Sequence, residues 1–139
     1  MFAPGEIVYG WVKILHTPKY KYAVSLFRDG DLNILAQFTT SKNRVGYVFE
    51  AGAEIGIAPD SGNPFSFPRK TTITFDYGFI FGSEQKLSGY FDAPIVVCKM
   101  YEKQYIELVY ALYKSPDFPD KYRTHLETVL ENYFGSNKN

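Results

Sequence analysis

Residues 20–40 read YKYAVSLFRDGDLNILAQFTT, and they contain two strand-like runs on either side of a turn signal. The first run, residues 20–27, alternates at first and then becomes continuously apolar, which is typical of a strand that is buried on both faces. The second run covers residues 32–40, and Asp29-Gly30 between the two runs favours a tight turn. The stretch therefore predicts an antiparallel hairpin whose two far ends come together.

The rest of the first two-thirds of the chain also carries strand signals. Residues 6–15 are rich in β-branched and aromatic residues and form a strand that precedes the hairpin. Residues 46–68 contain four glycines and three prolines, which predicts one or two short strands and a long loop at residues 59–68. Residues 70–81 are predicted as one strand in which Gly78 marks a bend or bulge. The β-branched run at residues 94–100 favours a further strand.

The last third of the chain predicts two helices. Tyr101, Tyr105, Leu108 and Leu112 recur at the spacing of one helix face, which indicates a helix over about residues 102–114. A second apolar stripe indicates a helix over about residues 118–134, with Asp117 as its N-cap. The stripe consists of Tyr122, Leu126, Val129, Leu130 and Tyr133. The predicted fold is one β-rich α+β domain over residues 1–139, with a small curved sheet or barrel over about residues 1–100 and two C-terminal helices.

Composition is consistent with a globular protein that has an unusual number of aromatic side chains. The 139 residues include 12 Tyr, 12 Phe and one Trp, and the net charge is zero. Between Lys13 and Arg44, however, six basic residues stand against two acidic ones. A local basic patch can bind phosphates even when the whole chain is neutral. The alternative is that this charge only keeps the hairpin loops soluble.

Several classes of protein lack support in the sequence. The single cysteine, Cys98, excludes a disulfide within one chain, and its apolar surroundings predict a buried side chain. His16 and His125 have no metal-ligand partner at helical spacing, and His125 fits a helix surface or interface. Phosphate-binding glycine loops and nucleophile elbows do not occur in the sequence. No leading signal peptide and no apolar run of about 18–20 residues is found, so we expect a soluble, cytoplasmic protein without membrane contact, metal or cofactor.

Polar side chains at the far ends of the predicted hairpin form the candidate site. Antiparallel pairing across the Asp29-Gly30 turn brings Lys21 near Thr39. A cation, a hydroxyl and the imidazole of His16 would then meet at one edge of the sheet, where they can hold a phosphate and move a proton. The further candidates for ligand contact are Lys19, Tyr20, Tyr22, Thr40, Ser41, Lys42 and Arg44.

The same residues carry a resemblance to a known family. The stretches PGEIVYGWV at 4–12, KYAVSLF at 21–27 and LNILAQFTTSK at 32–42 resemble the opening of the PemK/MazF-like toxins. The later stretch TTITFDYGFIFGSEQKL at 71–87 is similar to the family's next landmark, an alternating strand followed by a polar segment.

The resemblance implies an SH3-like barrel with a C-terminal helix, a homodimer and metal-independent cleavage of single-stranded RNA. The family's catalytic arginine position falls on Lys21, and its threonine position falls on Thr39. Lysine supplies the charge but lacks the planar fork that binds a phosphate bidentately. The proline that usually follows the arginine is Tyr22 in this chain.

Three functions remain open from the sequence. The first is an endoribonuclease of the toxin type, in which Lys21 stabilises phosphate charge, Thr39 positions the 2′-hydroxyl or phosphate, and His16 is the acid or base. Lys19, Thr40, Ser41, Lys42 and Arg44 would bind the RNA, and Tyr20 and Tyr22 would stack on unpaired bases. The second is a non-catalytic module on the same fold, which binds nucleic acid or a peptide such as an antitoxin tail. The third is an assembly protein with an aromatic interface.

Overall fold

The structure, a computed structural model, describes residues 2–13 and 18–137, with side chains described as far as Gly135. Within these residues it contains nine strands and three helices. The strands are β1 (Glu6–Val12), β2 (Lys19–Asp29), β3 (Leu32–Gln37), β4 (Gly46–Phe49), β5 (Gly56–Ile57), β6 (Pro64–Phe65), β7 (Thr71–Thr74), β8 (Phe79–Gly82) and β9 (Phe91–Met100). The helices are α1 (Glu84–Tyr90), α2 (Glu102–Lys114) and α3 (Asp120–Asn137).

Seven of these strands form one antiparallel sheet in the order β6-β5-β9-β1-β2-β3-β8. The end strands β6 and β8 do not pair with each other within the described part of the chain, so the sheet is open. Strands β4 and β7 form a separate antiparallel pair. The predicted β-rich α+β class with C-terminal helices is confirmed, whereas the SH3-like barrel stays a prediction.

The predicted hairpin of β2 and β3 is confirmed. It also contains a β-bulge, which the sequence pattern did not predict. Asp29 pairs with Leu32 across the turn, where Gly30 has a φ of 56°, a conformation that glycine adopts without steric cost. The register shifts between Ser25 and Phe27, so Leu26 is the extra residue of a β-bulge. The bulge takes the Leu26 carbonyl out of the regular ladder.

A buried polar network holds this bulge. The Asn33 carboxamide donates to Ser25 Oγ at 2.9 Å and to the Phe27 carbonyl at 2.8 Å, and its oxygen accepts from the Phe2 amide at 2.9 Å. Ser25 Oγ in turn donates to the Phe2 carbonyl at 2.9 Å. Both Asn33 and Ser25 are fully buried, and a satisfied network of this kind specifies one arrangement of the strands.

Helix α2 supplies the partner that the bulge needs. The Tyr105 hydroxyl donates to the Leu26 carbonyl at 2.6 Å, and both residues are buried. Burial raises the pKa of Tyr105 well above its usual value, so the hydroxyl stays protonated and remains a donor. The helix is therefore attached to the sheet by a hydrogen bond as well as by its apolar face, which contains Tyr105, Ile106, Leu108, Val109 and Leu112.

Helix α3 packs against α2 and closes the core. The predicted range was about residues 118–134, and the helix spans Asp120–Asn137, so it begins after Asp117 and Asp117 does not cap it. Arg123 donates to the carbonyls of Tyr113, Ser115 and Phe118, which satisfies carbonyl groups at the end of α2 and in the connection. None of the helices in the described residues is long and apolar enough to cross a membrane.

The prediction of one strand over residues 70–81 is wrong. Strand β7 ends at Thr74 and pairs with β4, whereas β8 begins at Phe79 and pairs with β3 in the other sheet. The chain turns between them, where Thr74 Oγ1 donates to the Tyr77 carbonyl at 2.7 Å and Gly78 has a φ of 89°. Gly78 therefore marks the predicted bend, but the bend separates two sheets.

The helix α1 after β8 is absent from the sequence prediction. Its N-cap is Ser83, whose hydroxyl accepts from the Lys86 amide at 3.4 Å. Strand β9 follows directly and covers the predicted residues 94–100. Cys98 within it is buried, as predicted, and burial raises the pKa of its thiol to about 12.

We predict that Tyr105→Phe destabilises the protein by about 1–3 kcal/mol, because the buried Leu26 carbonyl loses its donor. The free energy of unfolding in urea measures the effect. Tyr110→Phe is the matched control, since Tyr110 lies on the same helix and is 49% exposed. Equal stability of the two variants would contradict the role of this hydrogen bond.

Candidate functional site

The beginning of β2 and the end of β3 lie side by side at one end of these two inner strands of the large sheet. We call this region, residues 19–22 and 38–41, the rim. The strand register pairs Ala23 with Gln37, and the Phe38 amide donates to the Tyr22 carbonyl at 2.9 Å. Continued by two residues, this register sets Lys21 opposite Thr39, as the hairpin pattern predicts. Because successive side chains alternate, Lys21 and Thr39 share one face, and Tyr20 and Tyr22 lie on the other.

The backbone of Thr39 is held by the second sheet. Its amide donates to the Thr72 carbonyl at 2.8 Å, and the Thr72 amide donates back to the Thr39 carbonyl at 2.8 Å. This isolated bridge joins β3 to the β4–β7 pair. Thr39 Oγ1 accepts from the Ser41 amide at 3.1 Å, and its own proton has no acceptor among the described residues. The hydroxyl is therefore positioned and can still donate to a ligand.

Two cavities open at the rim. The larger rim cavity has a volume of about 280 Å³ and includes Tyr20, Tyr22 and Arg69 in its lining. The smaller rim cavity has a volume of about 220 Å³ and includes Gln37, Arg44 and Tyr77. Four residues line both cavities, namely Lys19, Lys21, Thr39 and Ser41. The two rim cavities are therefore adjacent, with the Lys21–Thr39 pair in the wall that they share, and we call them together the groove.

The charge in this groove is positive. The cationic side chains that line it are Lys19, Lys21, Arg44 and Arg69. No Asp or Glu among the described residues lines either rim cavity. A groove with cations and without carboxylates attracts anions, because nothing in its lining neutralises the field.

The surroundings of Lys21 make its positive charge costly. Its side chain is half-buried, and burial followed by the positive charge of Lys19 lowers the pKa of Lys21 below its usual value. No carboxylate forms an ion pair with Lys21 among the described residues. An anion bound at this position would offset the cost of burying the charge.

A row of aromatic rings runs across β1 and β2 beside the larger rim cavity. This aromatic row consists of Tyr9, Trp11, Tyr20 and Tyr22. Tyr20 stacks on Tyr9 with ring centroids 5.3 Å apart, contacts Trp11 edge-on at 5.0 Å, and is 60% exposed. Tyr22 is half-buried between Tyr9 and the ring of Phe67 at 5.3 Å. The exposed ring of Tyr20 is therefore accessible to a ligand, whereas the ring of Tyr22 packs between its neighbours.

The remaining predicted residues differ in their placement. Thr40 lines the larger rim cavity, and Ser41 lines both. Arg44 lines the smaller one, with its guanidinium 5.3 Å from the centre of the Tyr77 ring, whereas Lys42 is exposed and lines neither. The third predicted catalytic residue, His16, lies outside the described residues.

Three of the lining residues that the sequence prediction did not include are Arg69, Gln37 and Tyr77. Arg69 follows Pro68 at the end of the long loop, and a basic residue directly before a strand was the available signal. Gln37 precedes Thr39 by two residues, so strand alternation would have placed both on one face. Tyr77 reaches the groove through the turn between β7 and β8, which had been predicted as continuous strand.

Other features of the described residues fit an anion site less well. A cavity of about 370 Å³ lies between the sheet and helices α2 and α3, but Glu102 lines it and its Lys99 ammonium donates to the Pro4 carbonyl at 2.6 Å. No group of three or more His, Cys, Asp or Glu side chains that could hold a metal ion occurs in the described part of the chain. His125 is half-buried on α3, with its ring 4.8 Å from Phe27.

Comparison with known proteins adds no assignment. No family model matches the chain, and no curated protein or solved structure matches it. The resemblance to the PemK/MazF-like toxins therefore stays a prediction from the sequence.

Proposed function

We propose that this protein binds single-stranded RNA across the rim and cleaves it without a metal ion. The observation that carries the proposal is the half-buried Lys21, which lines both rim cavities together with Thr39 in a groove whose described lining contains cations and no carboxylate. A phosphate is the ligand that fits this pair, because it satisfies both the unpaired cation and the free hydroxyl proton.

Aromatic rings beside the phosphate position favour an unpaired strand. Tyr20 presents an open ring next to the cations, and bases stack on such rings only when they are not paired with another strand. Hydroxyl groups of Thr39, Thr40 and Ser41 border the larger rim cavity and can hydrogen-bond a ribose 2′-hydroxyl, which favours RNA over DNA. Together these groups suit a strand that crosses the rim with a phosphate at Lys21.

The proposed reaction uses the RNA's own 2′-hydroxyl as nucleophile. Its oxygen attacks the adjacent phosphorus and loses its proton to a base, the bond to the 5′-oxygen breaks, and that oxygen takes up a proton. Lys21 stabilises the charge that develops on the phosphate oxygens, and Thr39 holds one of them by a hydrogen bond. His16 is the proposed acid or base, by sequence alone.

The proposal extends to the family features that the resemblance implies. The Thr39–Thr72 bridge joins the open sheet to the β4–β7 pair, and this junction supports an SH3-like barrel built from both sheets. A homodimer, an antitoxin partner and a cytoplasmic location belong to the same proposal. The oligomeric state is measurable by light scattering after size-exclusion chromatography.

A second candidate function is binding without cleavage. No His, Asp, Glu or Cys among the described residues lines either rim cavity, so lysine and tyrosine side chains are the acid or base groups that the described lining offers. In this case the groove binds nucleic acid, or a peptide such as an antitoxin tail, and the protein does not cleave RNA.

We predict that the purified protein cleaves single-stranded RNA in the presence of EDTA. Lys21→Ala is expected to reduce the cleavage rate about 100-fold or more, because it removes the cation that stabilises the transition state. Thr39→Val removes the hydroxyl at nearly constant shape and should also slow cleavage. Lys103→Ala on the exposed side of α2 is the control and should retain full activity.

The outcomes separate the two candidate functions. Cleavage that survives Lys21→Ala would rule out the assigned site. Binding of RNA that depends on Lys21 but leaves the RNA intact would favour the non-catalytic module. A stable complex with a peptide at high salt, without RNA binding, would contradict both nucleic-acid proposals.

RNA binding should weaken as salt increases, because each phosphate contact releases counterions. Loss of one contact in Lys21→Ala should reduce the slope of log affinity against log salt by about 0.7. Fluorescence anisotropy with a labelled RNA of mixed sequence measures the slope. An unchanged slope in this variant would show that Lys21 does not contact a phosphate.

We predict that Lys21→Met weakens RNA binding and raises thermal stability. The lowered pKa of Lys21 means that the folded protein holds this proton less tightly than the unfolded chain, so the charged side chain opposes folding at neutral pH. The gain in melting temperature should shrink as the pH rises through the lowered pKa toward the usual 10.5. Lys103→Met is the exposed control, and a loss of stability in Lys21→Met alone would contradict the prediction.

A further inference from the structure

We propose that the smaller rim cavity binds one nucleobase next to the phosphate at Lys21, and that Gln37 reads the edge of this base. The inference rests on the proposed function, and it goes beyond it by assigning base selectivity to a side chain. It predicts that the protein prefers some RNA sequences over others, because a carboxamide hydrogen-bonds differently to each base.

Gln37 has an unmet hydrogen-bonding requirement. The Oε1 atom of its carboxamide is buried and has no hydrogen-bond partner among the described residues. Buried side-chain polar atoms normally have a hydrogen-bond partner, and this one belongs to a side chain that lines the smaller rim cavity. Rotation of the terminal amide can turn its oxygen or its nitrogen into the cavity, where a ring N–H or an exocyclic amine of a base can donate to the oxygen.

The backbone on both sides holds Gln37 at a fixed place in this cavity. Its amide donates to the Gly78 carbonyl at 2.9 Å, and it pairs with Ala23 across the hairpin. The facing wall is shaped by the turn in which Thr74 Oγ1 donates to the Tyr77 carbonyl. The carboxamide therefore projects from a rigid element, which is what selective hydrogen bonding requires.

Tyr77 and Arg44 supply a stacking surface in the same cavity. Tyr77 is 45% exposed, and the guanidinium of Arg44 lies 5.3 Å from the centre of its ring. Both groups have flat faces on which a base can stack. Stacking fixes the plane of the base. The carboxamide of Gln37 then favours the base whose edge presents a matching hydrogen-bond donor or acceptor.

The size and position of the cavity are compatible with one nucleobase. Its volume of about 220 Å³ is below the range of about 300–1,000 Å³ typical of drug-sized ligands. Lys21, Thr39 and Ser41 line the same cavity, so a phosphate and its neighbouring base can bind together. The chemical class of the ligand is therefore a nucleoside monophosphate unit within an RNA strand.

Nucleoside 3′-monophosphates of the four bases test the inference, since they carry one base and one phosphate and have no bond to cleave. Titration into isotope-labelled protein, followed by NMR, should give dissociation constants that differ at least about five-fold between the best and the worst base. In Gln37→Leu this spread should fall below about two-fold, while Lys21→Ala should weaken all four by a similar factor.

Two more variants keep the test informative. Gln37→Glu retains the shape but replaces the donor with a negative charge beside the phosphate, so it should weaken all four nucleotides even if Gln37→Leu fails to fold. Gln85→Leu, at an exposed position on α1, is the matched control and should behave like the wild type. Retention of the wild-type spread and affinities in both Gln37 variants would overturn the inference.

Failure of the inference and failure of the proposed function give different results. If labelled RNA of mixed sequence binds in a Lys21-dependent manner but the four nucleotides bind equally to the wild type, only the base-reading role of Gln37 is wrong. If the wild-type protein binds no RNA, the proposed function is wrong and the inference falls with it.

Discussion

The buried carboxamide of Asn33 is the constraint on which the rest of the structure depends. Its hydrogen bonds to Ser25 and Phe27 hold the bulge in β2 and thereby determine the register between β2 and β3. A slip of one residue would turn every side chain of the hairpin to the opposite face and leave this polar network unsatisfied in the core. The bulge also exposes the Leu26 carbonyl to the Tyr105 hydroxyl, which connects the sheet to the helices.

The register between β2 and β3 also determines the geometry of the rim. Lys21 and Thr39 lie opposite each other because the hairpin is in one register, and the bridge to Thr72 then fixes Thr39 between two sheets. The groove at this junction opposes stability, since among the described residues the half-buried Lys21 has no ion-pair partner and the oxygen of Gln37 has no hydrogen-bond partner. Local costs of this kind are characteristic of surfaces that bind ligands.

Local patterns were sufficient for much of the fold and for the centre of the candidate site. The run from residue 20 to residue 40 predicted the hairpin, and the simple rule of antiparallel pairing brought Lys21 to Thr39. Residues 102–114 were predicted as helix from their periodicity, and the structure has Glu102–Lys114. These features depend on neighbours in sequence, where hydrophobic period and turn chemistry act directly. The break at Gly78 was only partly visible, because a bend within one strand and a crossing between two sheets have the same local signal.

The sequence by itself determined the β-rich class, the hairpin, the C-terminal helices and the accumulation of positive charge near the start of β2. Tertiary structure alone decided that Arg69 and Tyr77 would line the same groove, because they reach it from the loop before β7 and from the turn after it. It also decided which polar groups are satisfied: Asn33 finds three partners in the core, whereas the oxygen of Gln37 finds none among the described residues. Contacts between distant segments depend on how the two sheets pack together, and this packing cannot be predicted from the hydrophobic periodicity of either sheet's strands.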